Sequence, residues 1–178
     1  MTVPRLIFFP ADARMIIDQH ALIEQLKHIA FIEDTQTRDT FPPGERFLSL
    51  LSFLGCSPNI KLSAQEGDDY CFISLLKASD ESRCLGHTPT VKPKCPHCRK
   101  RIAGWQVENW QRGDTPVCCD KCGKASDTAE LNWKHECGFG RCGFTISHIY
   151  PHEAVPTEQL LSLLQQFSGT PWDYCYAR

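Results

Sequence analysis

The chain has 178 residues, of which 42% are hydrophobic and 22% charged, and its formal net charge is −2. That balance excludes a disordered tail, and no apolar run approaches the roughly 20 residues that a membrane-spanning helix needs. A globule of this size buries about 70% of the surface its unfolded chain exposes, so it does not need disulfides in order to fold.

In chain order, residues 5–9 (RLIFF) read as a short buried strand ended by Pro10. Residues 18–31 follow with Leu22, Leu26 and Ile29 at helical spacing and Asp18 as the N-cap. Phe47, Leu50, Leu51 and Leu54 have the i, i+3, i+4, i+7 spacing of a second helix, closed by Gly55. Residues 70–76 read as a strand set off by the Glu66-Gly-Asp-Asp69 turn. Beyond a central segment, residues 144–150 read as a strand ended by Pro151. Residues 157–167 then form a helix with Thr157 as N-cap, Leu160, Leu161, Leu164 and Phe167 on one face, and Gly169 as its stop. The last two helices leave alike, through a Gly and a Pro into extended segments at 59–62 and 172–176. Strand–helix–strand at each end predicts an α+β body of the split βαβ, or ferredoxin-like, kind.

Charge is uneven. Residues 1–90 carry eight Lys/Arg and 12 Asp/Glu, residues 91–125 eight and three, and residues 126–178 three and six. The middle segment is thus a basic island of +5 in an acidic chain. It suits phosphate or protein contacts, or it offsets the charge of a thiolate site.

The 11 cysteines fall at 56, 71, 84, 95, 98, 118, 119, 122, 137, 142 and 175. An odd count argues against a disulfide framework, and residues 1–14 lack the basic-then-apolar order of an export signal. Reduced thiols and a cytoplasmic location are expected. Two C-x-x-C pairs stand out, Cys95-Pro-His-Cys98 and Cys119-Asp-Lys-Cys122, with 20 residues between them. Such pairs form two knuckles that aim four sulfurs at one Zn²⁺. Cys118 is a rival ligand, but only Cys119 reproduces the spacing of the first pair. Residues 102–110 suit an outgoing strand, 112–115 a turn and 116–118 the return. A redox pair would instead open a helix in a βαβ unit, which Pro93 and Pro96 disfavour.

Over about residues 92–125, Cys95, Cys98, Cys119, Cys122 and Gly123 make the segment resemble the zinc ribbon family, from which it departs because Arg99 follows the first knuckle. The resemblance implies one structural zinc in a closed site. Three further segments, GERFL at 44–48, FLGCSP at 53–58 and GTPWDY at 169–174, resemble a bacterial protein family of unknown function that also carries a ribbon-like insert. That likeness implies no activity.

Weaker constellations remain. His135, Cys137 and Cys142, with His148 and His152 beyond, form one candidate second metal site, and Cys84 with His87 could add ligands. Cys56, Cys71 and Cys175 read as core. The Gly-rich 138–143 segment reads as a turn, with Arg141 a candidate for holding a carboxylate or phosphate.

The sequence therefore predicts a body built from 1–90 and 126–178, with a zinc ribbon at 91–125 inserted between its halves. The ribbon would present a binding surface for a protein or, second, a nucleic acid, with no membrane partner. The candidate partner-binding residues are Lys92, Lys94, Arg99, Lys100, Arg101, Trp105 and Arg141. The competing expectation is an enzyme with its site in the body near 138–143, His148 and His152.

Overall fold

The structure is a computed structural model that describes residues 3–35, 37, 39–55 and 60–178. Cys56, expected in the core, and the expected helix exit at 56–59 lie outside the described residues.

The described elements run β1 (Arg5–Pro10), α1 (Gln19–His28), β2 (Leu51–Phe53), β3 (Ile73–Leu75), β4 (Arg83–Gly86), β5 (Pro116–Cys118) and β6 (Ala125–Asp127). A 3-10 turn (Thr128–Glu130) follows, then β7 (Cys137–Gly140), β8 (Phe144–Ser147), β9 (Ala154–Pro156), α2 (Glu158–Ser168) and β10 (Trp172–Ala177). The result is a mixed α and β molecule with two helices and small antiparallel sheets among the described residues. No helix among them is long and apolar enough to cross a membrane.

The largest sheet has the order β10-β1-β8-β3, every neighbouring pair antiparallel. The chain passes through α1 between β1 and β3, which flank β8, and through α2 between β8 and β10, which flank β1. Alternation along β1 sorts its two faces. Leu6 and Phe8 join the main core with Leu22 and Leu26 of α1 and Leu160 and Leu164 of α2. Ile7 and Phe9 turn the other way, toward Cys175, Ala177 and Leu85. Phe8 stacks on Phe144 across the β1–β8 pair, ring centroids 4.7 Å apart.

Both helices carry the expected caps. The Asp18 carboxylate accepts from the Ala21 N–H at 2.8 Å, and the Thr157 hydroxyl accepts from the Leu160 N–H at 3.2 Å. Gly169 ends α2 in the left-handed conformation.

The helix expected over Phe47, Leu50, Leu51 and Leu54 does not form. One helical turn closes, with the Leu50 N–H donating to the Arg46 carbonyl at 3.0 Å, and the chain then extends into β2. Tertiary pairing wins: β2 pairs with β9, and the Leu50 carbonyl accepts from both the N–H and the hydroxyl of Thr157. Phe47 and Leu50 still reach the core, whereas Leu54 is exposed. The shared burial of 47, 50 and 51 had imitated a helical face.

The outgoing strand expected at 102–110 is also replaced, by successive turns. Trp105, Trp110 and Trp133 hold this stretch edge to face, with Trp105 5.0 Å from Trp110 and 5.1 Å from Trp133. The return strand forms as β5 and pairs with β6. The Gly-rich 138–143 segment is not simply a turn, because it begins within β7, which pairs with β4 and lies against the outer face of the large sheet. Gly138 is required there: a Cβ would sit 2.0 Å from the Phe9 ring.

Candidate metal centre

Two short loops build the site, and they are near copies of each other. In the first, the Cys95 N–H donates to the Lys100 carbonyl at 2.9 Å and the Arg99 N–H to the Cys95 carbonyl at 3.0 Å. In the second, the Cys119 N–H donates to Lys124 and the Gly123 N–H to Cys119, both at 2.9 Å. Each loop turns a backbone N–H onto its leading sulfur, His97 onto Cys95 Sγ and Lys121 onto Cys119 Sγ, both at 3.4 Å. The residue after each pair is left-handed, φ 60° at Arg99 and 71° at Gly123. Arg99 thus adopts at some cost the conformation that glycine adopts freely.

The four sulfurs of Cys95, Cys98, Cys119 and Cys122 lie within 4.8 Å of one another. Cys95 is 3.8 Å from Cys122, and Cys98 is 3.7 Å from Cys119. A tetrahedron with metal–sulfur bonds of about 2.3 Å has edges of about 3.8 Å. The spacing therefore fits one tetrahedral ion and is too long for disulfides. Cys118 is not in the group. It is exposed, and its Sγ lies 3.5 Å from the Gly123 carbonyl.

The thiols are unequal. Backbone N–H donation, first from Cys98 and then from His97, lowers Cys95 to about 7 against the opposing effect of burial. For Cys122 the Lys124 N–H pulls down, but burial and the neighbouring thiols of Cys119, Cys95 and Cys98 outweigh it and push it up to about 11. Crowded sulfurs cannot all ionise alone, and a divalent cation removes that conflict.

The centre is tied to the residues C-terminal to it. Lys94 and Asn132 exchange backbone hydrogen bonds at 3.0 Å in both directions. Trp133 donates its indole N–H to the Thr128 carbonyl at 2.8 Å and packs on Phe139 of β7. One buried cluster joins Cys95, Cys119, Ile102 and Val117 to Leu131, Trp133 and Phe139. The backbone donors to sulfur and the His97–Ser126 contact of 3.2 Å were not foreseen from residue types, because backbone groups carry no sequence label.

The other candidate residues are dispersed. Lys92, Arg99, Lys100 and Arg101 are exposed around the first knuckle, and Lys94 is half-buried. Trp105, expected on that face, is buried in the indole cluster. Arg141 is committed to carbonyls, donating to Ser79 at 3.0 Å and Arg14 at 3.2 Å, so it ties two loops. His135, Cys137 and Cys142 do not converge. His135 donates Nδ1–H to the Tyr174 carbonyl at 2.8 Å, Cys137 is buried beside Cys84, and Cys142 lies 3.4 Å from the Met15 carbonyl. His148 packs on Phe72 and His152 on Tyr176, while His87 Nδ1 accepts from the Arg178 N–H at 3.4 Å. Among the described residues the four-cysteine group is the one cluster suited to a metal ion. Cys71 and Cys175 are core, and burial pushes Cys71 up to about 12.

Compared with known proteins, the chain matches no family model, no curated protein and no solved structure.

Proposed function

We propose that this is a zinc protein in which Cys95, Cys98, Cys119 and Cys122 hold one structural Zn²⁺, and that the segment around them is a zinc ribbon that docks a protein partner. The observation that carries the metal is the four-sulfur geometry. An all-thiolate set suits zinc above harder cations, and it leaves no open position for a substrate, so the ion acts as a staple. The order β10-β1-β8-β3 supports a ferredoxin-like body formed by 1–90 and 126–178, with the ribbon at 91–125 inserted between. Four thiolates that must stay reduced support a cytoplasmic location.

The docking face is the exposed basic rim of Lys92, Arg99, Lys100 and Arg101. A protein with an acidic surface is favoured over nucleic acid, because the indoles that would stack on bases are turned inward: Trp105 is buried and Trp110 is half-buried against it. Elemental analysis should find one zinc per chain, and none in Cys119→Ser. For the partner, capture with the zinc-loaded chain is compared with a variant carrying Arg99→Glu, Lys100→Glu and Arg101→Glu. A protein retained after nuclease treatment and lost in the variant is the expected result. Retention that nuclease abolishes would move the reading to nucleic acid.

A further inference from the structure

Away from the cysteines lies a cleft of about 570 Å³, with His87, Lys134, His135, His152 and Arg178 in its lining. We propose that it binds a small organic oxyanion, a phosphate or carboxylate carried on a compact apolar body. The volume falls in the range of small-ligand sites. The apolar part of the wall comes from Pro151 and the ring of Tyr176, whose hydroxyl is committed to the Ala154 carbonyl at 2.8 Å.

The polar part is cationic and rich in donors. Lys134 and Arg178 bring two permanent charges. Glu136 also lines the cleft and leaves these side chains a formal balance of +1; its Oε2 accepts from the backbone N–H groups of Thr90 at 3.0 Å and Val91 at 3.3 Å. Because the Arg178 N–H donates to His87 Nδ1, the His87 ring proton sits on Nε2, a donor to an incoming oxygen. His135 is fixed the other way, Nδ1–H on the Tyr174 carbonyl and 3.5 Å from Asp173, leaving Nε2 to accept a ligand hydroxyl or to donate when protonated. These groups do not form a metal site, because among the described residues only the four cysteines converge.

The backbone adds an independent observation. Lys134, His135 and His152 are all left-handed non-glycine residues, with φ 54°, 64° and 65°. Side chains held at such unfavoured angles gather at ligand sites, where the surrounding structure fixes them for a task. His87, His135 and His152 are candidates for a second metal from sequence, and the fold instead gathers them with Lys134 and Arg178 and without Cys137 or Cys142.

The test follows the histidine ring resonances of the zinc-loaded full chain during titration with phenyl phosphate, benzoate and neutral benzyl alcohol. Saturable shifts of His87, His135 and His152 with an anion, and none at His20 or His28 on α1, are expected. Phosphate exceeding carboxylate assigns a phosphate ligand, and the reverse order a carboxylate. Arg178→Ala, together with Lys134→Asn, which keeps a side chain tolerant of the left-handed backbone, should weaken binding at least tenfold. Arg178→Ala alone, at an exposed position, should weaken it severalfold without disturbing the fold. No saturable shift at millimolar anion, equal binding of benzyl alcohol, or unchanged affinity in both variants would overturn the proposal.

Discussion

The body around the large sheet and the segment around the four cysteines are built on different principles. In the body, side chains from both ends of the chain meet: Phe8, Phe31, Phe47 and Phe144 are fully buried together with the apolar faces of α1 and α2. Each such residue contributes roughly 1.5–3 kcal/mol by leaving water. The cysteine segment has few buried apolar residues of its own, namely Ile102, Trp105 and Val117 with Cys95 and Cys119 and the half-buried Trp110 against them, and it completes a core only with Leu131, Trp133 and Phe139. Local turns position its sulfurs, and in the proposed reading an ion holds the two loops together. On that reading a region poor in buried apolar area substitutes a metal for a core.

This contrast can be broken most strongly at the metal. Structural zinc in comparable small sites is worth about 10–16 kcal/mol near pH 7. Chelation, or Cys119→Ser, should therefore melt the cysteine segment and shift the fluorescence of Trp105, Trp110 and Trp133, while amide exchange in β1, β8 and β10 stays slow. Simultaneous loss of protection in those strands would mean that the two regions do not differ as described.

Next in size are the two cores. Trp133→Ala removes the indole that joins the segment to β7 and should cost about 3–5 kcal/mol, lowering zinc affinity as well. Leu164→Ala in α2 should cost about 2–5 kcal/mol by denaturant titration and leave zinc affinity unchanged. If both variants changed zinc affinity equally, the cores would be one.

Smaller effects sharpen the comparison between the two knuckles. Arg99→Gly relieves a left-handed arginine and should stabilise the zinc-loaded chain by about 1 kcal/mol. The same exchange in reverse, Gly123→Arg, should cost a similar amount, and both can be read from thermal midpoints. Cys118→Ser should stay within about 0.5 kcal/mol of the parent and keep the metal, since that thiol faces away from the site.

Legibility in the sequence divides instead between local features and those set by distant pairing. The four-cysteine cluster is legible because each knuckle is a local loop, and the repeated C-x-x-C spacing is its direct imprint. The caps at Asp18 and Thr157 are legible for the same reason. Features set by distant pairing are not. Phe47, Leu50 and Leu51 carry a helical spacing, yet partners on β9 draw 51–53 into a strand. Gly138 looks like a turn residue but exists to let β7 approach Phe9. Trp105 and Arg141 look like exposed anchors, and only their partners, Trp133 for one and the carbonyls of Ser79 and Arg14 for the other, reveal them as internal ties.

The most direct test of the central claim is X-ray absorption at the zinc edge on the purified chain. One zinc per chain with four sulfur neighbours at about 2.3 Å is the predicted result. A shell containing nitrogen or oxygen in place of any sulfur, or a chain that folds fully with no zinc bound, would contradict it.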